Sequence, residues 1–154
     1  MILYHGTCDI FAESIKREGL IPAKHPMQEQ PAGIYALITA PCNDVTGAIY
    51  LSASLDTAKQ FADFRARYER ASYNHIVRWG HGVERIKLAH TVNPTAKPVV
   101  ISVNVPDSWK PYIKPDEQTP AQAQAYWTDK PIPPKYITSF DKIPIDYRGK
   151  LWKD

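Results

Sequence analysis

The sequence contains little cysteine and no long apolar run. No uninterrupted apolar stretch in the 154 residues approaches the ~20 residues that a membrane-spanning helix needs, so we expect no membrane partner. The first residues show no basic stretch followed by an apolar one, so we expect no secretory signal. Cys8 and Cys42 are enough for one disulfide bridge, but two reduced thiols in a cytoplasmic protein are the simpler interpretation.

Several signatures of common enzyme classes are also missing. The histidines, at positions 5, 25, 75, 81 and 90, form no recognisable metal-ligand spacing with the cysteines. There is no glycine-rich phosphate loop, and no Ser/His/Asp or Cys/His pattern in a credible context. We therefore expect no metal cofactor.

The order of patterned segments predicts a single α+β domain spanning residues 1–154. Strands are expected at 1–5, 49–51, 98–105, 124–128 and 136–140, with a short strand at 34–38 inside a proline-rich loop at 22–47. One helix follows Thr7 or Asp9 and stops near Gly19. Ser54 caps another that runs to about Arg70, with more helix over 72–92 broken near 80–82.

Positive charge is concentrated in one segment, although the formal net charge is only +3. Residues 59–90 carry seven Lys or Arg against three acidic residues, with aromatic residues between them. Such a face is suited to a phosphate backbone and stacked bases. The alternative is a solvated amphipathic helix whose aromatic residues belong to the core.

Three short motifs carry chemistry-bearing residues. The first is Tyr4-His5-Gly6-Thr7 at the end of the first strand. A glycine there lets a ligand approach the main chain, whose N–H and C=O can pair with a planar amide. The imidazole of His5 can hydrogen-bond a hydroxyl of the ligand, although a histidine at the turn from a strand to a helix more often has a structural role.

The second motif places Tyr50 at a strand end and Phe61 in the following helix. A strand-to-helix return can bring the two rings together as a slot for a flat heteroaromatic group, whose positive charge the ring faces would attract. Ordinary core packing of the two rings is the alternative. The third motif runs from Gln122 and Gln124 to Tyr126, which alternation places on one face, and ends in Pro-Pro-Lys-Tyr-Ile.

In this order, the three motifs resemble the ADP-ribosyltransferase superfamily, specifically its His-Tyr-Glu branch, and its small bacterial or phage mono-ADP-ribosyltransferases. The resemblance covers residues 1 to about 140. It implies an ADP-ribosyltransferase-like fold of two small, mostly antiparallel sheets around an NAD cleft with flanking helices. It also implies a transferase that cleaves NAD+ and passes ADP-ribose to a macromolecular acceptor.

The resemblance also implies roles for individual residues. His5 would bind a hydroxyl of the adenosine ribose, Gly6 would hold the nicotinamide carboxamide through its backbone, and Thr7 would support that turn. Ser52 would be a further donor to the amide. Tyr50 and Phe61 would sandwich the nicotinamide ring.

The third motif departs from the family pattern. The family glutamate, which holds a ribose hydroxyl and stabilises the growing positive charge, falls at about Gln124. Glutamine keeps the hydrogen bond but lacks the negative charge. We therefore expect transfer of single ADP-ribose units and no synthesis of a polymer. Glu117 is the nearest upstream carboxylate and an alternative occupant of that role. A non-catalytic NAD- or nucleic-acid-binding module remains a second hypothesis.

The acceptor is less defined than the donor. The basic segment favours nucleic acid, RNA or DNA, over protein, and we predict Arg65, Arg67 and Gln122 as acceptor-binding residues. An NAD-dependent RNA 2′-phosphotransferase is a third hypothesis, but Tyr4 precedes His5 where that family has arginine. Small enzymes of this type resemble toxins and phage effectors, so an antitoxin partner stays open.

Overall fold

The computed structural model describes residues 1–22, 48–79, 95–117, 119–144 and 147, and for residues 68–69 and 71–79 only the backbone. The predicted strand at 34–38, most of the predicted loop at 22–47 and the predicted break near 80–82 lie outside these residues. None of the described helices combines the length and the hydropathy of a membrane-spanning segment.

The fold is α+β. Two α-helices and six strands are described: β1 (Ile2–Cys8), α1 (Ala12–Glu18), β2 (Ile49–Ser52), α2 (Leu55–Trp79), β3 (Pro98–Asn104), β4 (Lys114–Pro115), β5 (Ala125–Thr128) and β6 (Ile137–Lys142). Short 3-10 turns lie at Asp9–Phe11, Asp107–Tyr112, Ala121–Ala123 and Pro134–Tyr136.

The predicted helix stop at Gly19 and the predicted cap at Ser54 are confirmed. The predicted cap at Thr7 or Asp9 is wrong, because Thr7 lies in β1, Asp9 opens a 3-10 turn, and α1 begins after Phe11 without a side-chain cap. Gly19 ends α1 with a positive φ of 80°, and its N–H donates to the carbonyl of Ile15. Ser54 caps α2, because its Oγ accepts from the N–H of Thr57 at 3.3 Å. The helix continues beyond the predicted end near Arg70 as far as Trp79.

The strands form one six-stranded antiparallel sheet in the order β4-β5-β2-β1-β3-β6. The prediction of two separate small sheets is therefore wrong, while the mostly antiparallel pairing is confirmed. The two halves of the sheet, β4-β5-β2 and β1-β3-β6, are joined through a single residue pair, Tyr4 with Ser52. By contrast, β1 and β3 pair along the whole length of β1.

The sheet buries apolar side chains on both faces. One face carries the larger core, which includes these residues: Leu3, Ile15, Leu20, Ile49, Leu51, Val99, Ile101, Val103, Val105, Trp109, Ile113 and Ile132. The other face packs against α2. Ala58, Ala62 and Ala66 recur every four residues along α2, are completely buried, and give the helix a flat stripe toward β1.

Gly6 sets how closely α2 approaches β1. A Cβ at this position would lie 2.3 Å from the carbonyl oxygen of Ala58 and 2.4 Å from the amide nitrogen of Ala62. Both atoms belong to the helix backbone, which cannot swing aside as a side chain would. The glycine therefore has a packing role in addition to the ligand-binding role predicted from the sequence.

We expect Gly6→Ala to lower the free energy of unfolding by about 3 kcal/mol, the upper end of the cost of overpacking. Urea denaturation monitored by far-ultraviolet circular dichroism measures this. Ser108→Ala, at an exposed position, is the control and should stay within about 0.5 kcal/mol of the wild type. Equal stability of the Gly6→Ala protein and the wild type would show that α2 does not pack on β1 as described.

Candidate functional site

The backbone of Gly6 faces β2 and not β3. Met1 and Val105 exchange two hydrogen bonds, of 2.9 and 3.0 Å, and the N–H of Asp9 donates to Lys97 at 2.9 Å in the same register. Main-chain groups alternate in direction along an antiparallel strand, so the odd-numbered residues of β1 bond to β3. The N–H and C=O of Tyr4, Gly6 and Cys8 consequently point to the other side.

The same alternation turns Tyr50 toward β1. The N–H of Ala53 donates to the carbonyl of Gln124 at 3.1 Å, in register with the β2–β5 pairing. By alternation, the main-chain groups of Leu51 point to β5, and those of Tyr50 and Ser52 point to β1. Ser52 meets its partner, Tyr4. The next facing pair would be Gly6 with Tyr50, but the two strands no longer pair with each other there. The sheet therefore opens at the glycine and the tyrosine that the sequence singled out.

His5 spans this opening. Its Nδ1 lies 2.7 Å from the carbonyl oxygen of Tyr50. A carbonyl oxygen only accepts, so Nδ1 carries the proton and a neutral ring keeps the Nε2 lone pair as an acceptor. Burial lowers the pKa of His5 below 6.5, the bond to Tyr50 opposes this shift, and the Arg65 charge adds to it. The ring is thus held neutral, in one tautomer, at physiological pH.

Phe61 lies against Gly6, and Tyr50 projects from the same face of the sheet. The Cβ of Phe61 lies 2.9 Å from the point where a Cβ on Gly6 would stand. Tyr50 faces Gly6 across the opening and is half-buried, as is Phe61. We call Gly6, Tyr50 and Phe61 the slot. The structure places Phe61 beside Gly6 and puts Tyr50 opposite Gly6 in the strand register.

Thr7 and Ser52 differ from their predicted surroundings. β1 continues to Cys8, so His5, Gly6 and Thr7 lie inside the strand and not at a turn after it, and the side chain of Thr7 is buried. The Ser52 hydroxyl donates to the carbonyl of Ala123 at 2.8 Å and accepts from the N–H of Ser54 at 2.9 Å. Its proton is already used, so Ser52 ties the start of α2 to the segment before β5 instead of presenting a donor to a ligand.

Gln124 stands at the entry to β5 in a left-handed conformation, with φ 48° and ψ 44°. Among the described residues it is the only non-glycine with a positive φ. Such conformations cost free energy and are concentrated at functional sites. Gln122 lies in the preceding 3-10 turn, so the predicted alternation of Gln122, Gln124 and Tyr126 on one face is wrong. The side chains of both glutamines are exposed.

Glu117 approaches Gln124 through the β4–β5 pairing. Lys114 pairs with Trp127 and Pro115 with Tyr126, and the N–H of Asp116 donates to Ala125 at 2.9 Å. The next residue in this register, Glu117, is therefore opposite Gln124. Both remain candidates for the ribose-binding role that the resemblance predicts.

The predicted acceptor arginines are engaged within the protein. Arg65 is only 8% exposed, and its guanidinium lies 4.8 Å from the ring centre of Phe11. Arg67 is exposed but pairs with Asp63 at 2.9 Å. The burial of Arg65 disfavours a direct contact with a macromolecule, and its charge adds to the burial that lowers the pKa of His5.

Two residues near the slot were not singled out from the sequence. Trp127 pairs with Tyr50 across β2 and β5 and is half-buried. Thr57 is completely buried, and its Oγ1 has no hydrogen-bond partner among the described residues. Trp127 lies within the third motif, which gave it no role, and Thr57 belongs to no motif. The register of β5 and the position of Thr57 one helical turn before Phe61 reveal them.

Comparisons with known proteins add no assignment: no protein-family model matches the chain, and no curated protein or solved structure matches it significantly. In the part of the chain that the structure describes, no group of three His, Cys, Asp or Glu side chains could hold a metal ion.

The lowered pKa of His5 predicts a loss of stability at acid pH. Below pH 6.5 the unfolded chain takes up a proton at this residue and the folded protein does not, so the free energy of unfolding falls as the pH falls, by at most ~1.4 kcal/mol per pH unit. Urea unfolding at pH 7.5, 6.5 and 5.5 in the wild type and in His5→Gln measures the difference. The wild type should lose more stability between pH 7.5 and 5.5 than the variant. Parallel profiles would show that His5 titrates normally.

Proposed function

We propose that the protein is a mono-ADP-ribosyltransferase that binds NAD+ in the slot and transfers ADP-ribose to a macromolecular acceptor. The opening of the sheet at Gly6 and Tyr50 carries this proposal. A carboxamide is planar and offers one acceptor and two donor hydrogens, as a neighbouring strand would offer a C=O and an N–H. It would therefore pair with the N–H and C=O of Gly6 where β2 has separated from β1.

The two rings of the slot suit the rest of the nicotinamide. The nicotinamide of NAD+ carries a positive charge, which the faces of Tyr50 and Phe61 attract. Helix α2 fills the space on the side-chain face of Gly6, so the amide would lie at the strand edge, where the main-chain groups of Gly6 point toward β2. This combination favours a cationic aromatic amide over a neutral flat ligand.

His5 supports the sugar part of the ligand. With Nδ1–H committed to the carbonyl of Tyr50, Nε2 is left to accept a hydrogen bond from a ribose hydroxyl. The same bond fixes the distance between the strand that holds the amide and the strand that carries Tyr50. His5 would thus bind the sugar and also hold the opening in shape.

The reaction would break the bond between C1′ of the ribose and the pyridinium nitrogen, and nicotinamide would leave with the bonding electrons. An oxygen or nitrogen of the acceptor forms the new bond to C1′ and releases its proton. Most of the rate would come from positioning, because the leaving group is neutral once released. Gln124 can hold a ribose hydroxyl, and Glu117 is the nearest group in the β4–β5 register that could supply negative charge.

The purified protein is expected to bind NAD+ and release nicotinamide. Tyr50→Ala and His5→Ala should each lower that release by at least ~100-fold, because the ring or the sugar is no longer positioned. Chromatographic quantification of nicotinamide measures it. Tyr50→Phe, which keeps the ring, and Tyr112→Ala, at a residue 45% exposed, are the controls. Turnover that survives in both alanine variants would refute these roles.

A second candidate function is NAD+ binding without catalysis, which Gln124 favours because the amide supplies no negative charge beside the breaking bond. Such a module would bind NAD+ and release no nicotinamide. The two candidate functions differ in whether a negative charge stands beside the breaking bond at the entry to β5.

Restoring that charge tests the two candidates. Gln124→Glu should raise nicotinamide release by about tenfold or more, because a carboxylate stabilises the growing positive charge. Ala121→Glu, in the adjacent exposed turn, is the control for a general effect of added charge. If Glu117 already supplies the carboxylate, Glu117→Gln abolishes release and Gln124→Glu adds little.

A further inference from the structure

We propose that Trp127 and Lys114 form a platform that binds single-stranded nucleic acid as the acceptor. This inference rests on the proposed transferase function and names its acceptor class. It is carried by the position of these two residues beside the slot and by the contact between them.

The platform continues the slot across the sheet. Tyr50 on β2 pairs with Trp127 on β5, and Trp127 pairs with Lys114 on β4. Cross-strand partners project to the same face of an antiparallel sheet, so these three side chains lie on the face that carries Gly6. Helix α2 packs mainly on β1 and β3, away from β4 and β5. Trp127 is half-buried and Lys114 is exposed.

The chemistry of the pair matches a nucleotide. The Nζ of Lys114 lies 4.5 Å from the ring centre of Trp127. An indole face stacks a base of any sequence. The ammonium that lies over this face would give way to the base and bind the phosphate of that base or of its neighbour. Lys114 takes part in none of the ion pairs formed by the described residues.

Three other positive charges of the described chain serve this purpose less well. Arg65 is buried against Phe11, and Arg67 is paired with Asp63. The basic segment that suggested nucleic acid from the sequence therefore directs part of its charge inward. Lys130 also lies over aromatic rings, those of Trp109 and Tyr112, but Trp109 belongs to the core on the opposite face of the sheet.

That second lysine supplies a matched control. The experiment compares wild type, Lys114→Gln, Trp127→Leu and Lys130→Gln for binding of a fluorescently labelled single-stranded RNA and a DNA of equal length, by anisotropy over a range of salt concentrations. Lys114→Gln and Trp127→Leu should weaken binding about tenfold, within the range for loss of one stacked base. Lys114→Gln should also reduce the slope of log K against log salt by ~0.7, the value for one contact to a single strand. Lys130→Gln should change neither quantity.

Transfer is measured in parallel with labelled NAD+, offered with the oligonucleotides and with cell extract. Label on the oligonucleotide that falls in the Lys114→Gln and Trp127→Leu proteins supports the platform. Wild-type binding that neither variant weakens overturns the platform and leaves the transferase standing. Label on protein alone overturns nucleic acid as the acceptor. A wild type that does not bind NAD+ overturns both proposals. If Trp127→Leu fails to fold, the exposed Lys114 still decides the outcome through affinity and salt slope.

Discussion

The separation of β1 from β2 at Gly6 and Tyr50 is the feature on which the account of this protein depends. Up to Tyr4 and Ser52 the two strands pair, and the register requires Gly6 and Tyr50 to pair next. The His5 imidazole instead donates to the Tyr50 carbonyl and holds the strands at a distance set by a side chain. Two main-chain groups of Gly6 are thereby directed into an opening, which is a costly arrangement unless a ligand or water satisfies them. A ligand that resembles a peptide group would recover that cost.

The rest of the fold keeps this opening in place. On one side, β1 is bound to β3 along its length, and α2 presses its alanine stripe onto β1, an approach that only a glycine at position 6 permits. On the other side, Ser52 fixes the end of β2 to the carbonyl of Ala123. Ala123 directly precedes the left-handed Gln124, whose carbonyl accepts from the N–H of Ala53, so hydrogen bonds join the residue proposed to act on the ribose to the end of the strand proposed to hold the ring.

Local signals predicted the parts of this structure that depend on local interactions. Ser54 as a helix cap and Gly19 as a helix stop follow from backbone chemistry within a few residues, and both are found. Strand order does not follow from such signals, so one sheet was predicted as two. The two-residue β4 contains Pro115 and is not among the predicted strands, which hid the pairing that brings Lys114 to Trp127 and Glu117 to the level of Gln124. The bonds of Ser52 and the burial of Arg65 are long-range packing outcomes that no motif encodes.

The most direct test of the central claim is a crystal structure of the protein with nicotinamide or NAD+ bound. The account predicts the carboxamide within about 3 Å of the N and O atoms of Gly6, as in ordinary hydrogen bonds, with its ring between Tyr50 and Phe61 and the His5–Tyr50 bond intact. A structure in which β1 and β2 pair through Gly6 and Tyr50, or in which the ligand occupies another part of the molecule, would contradict it.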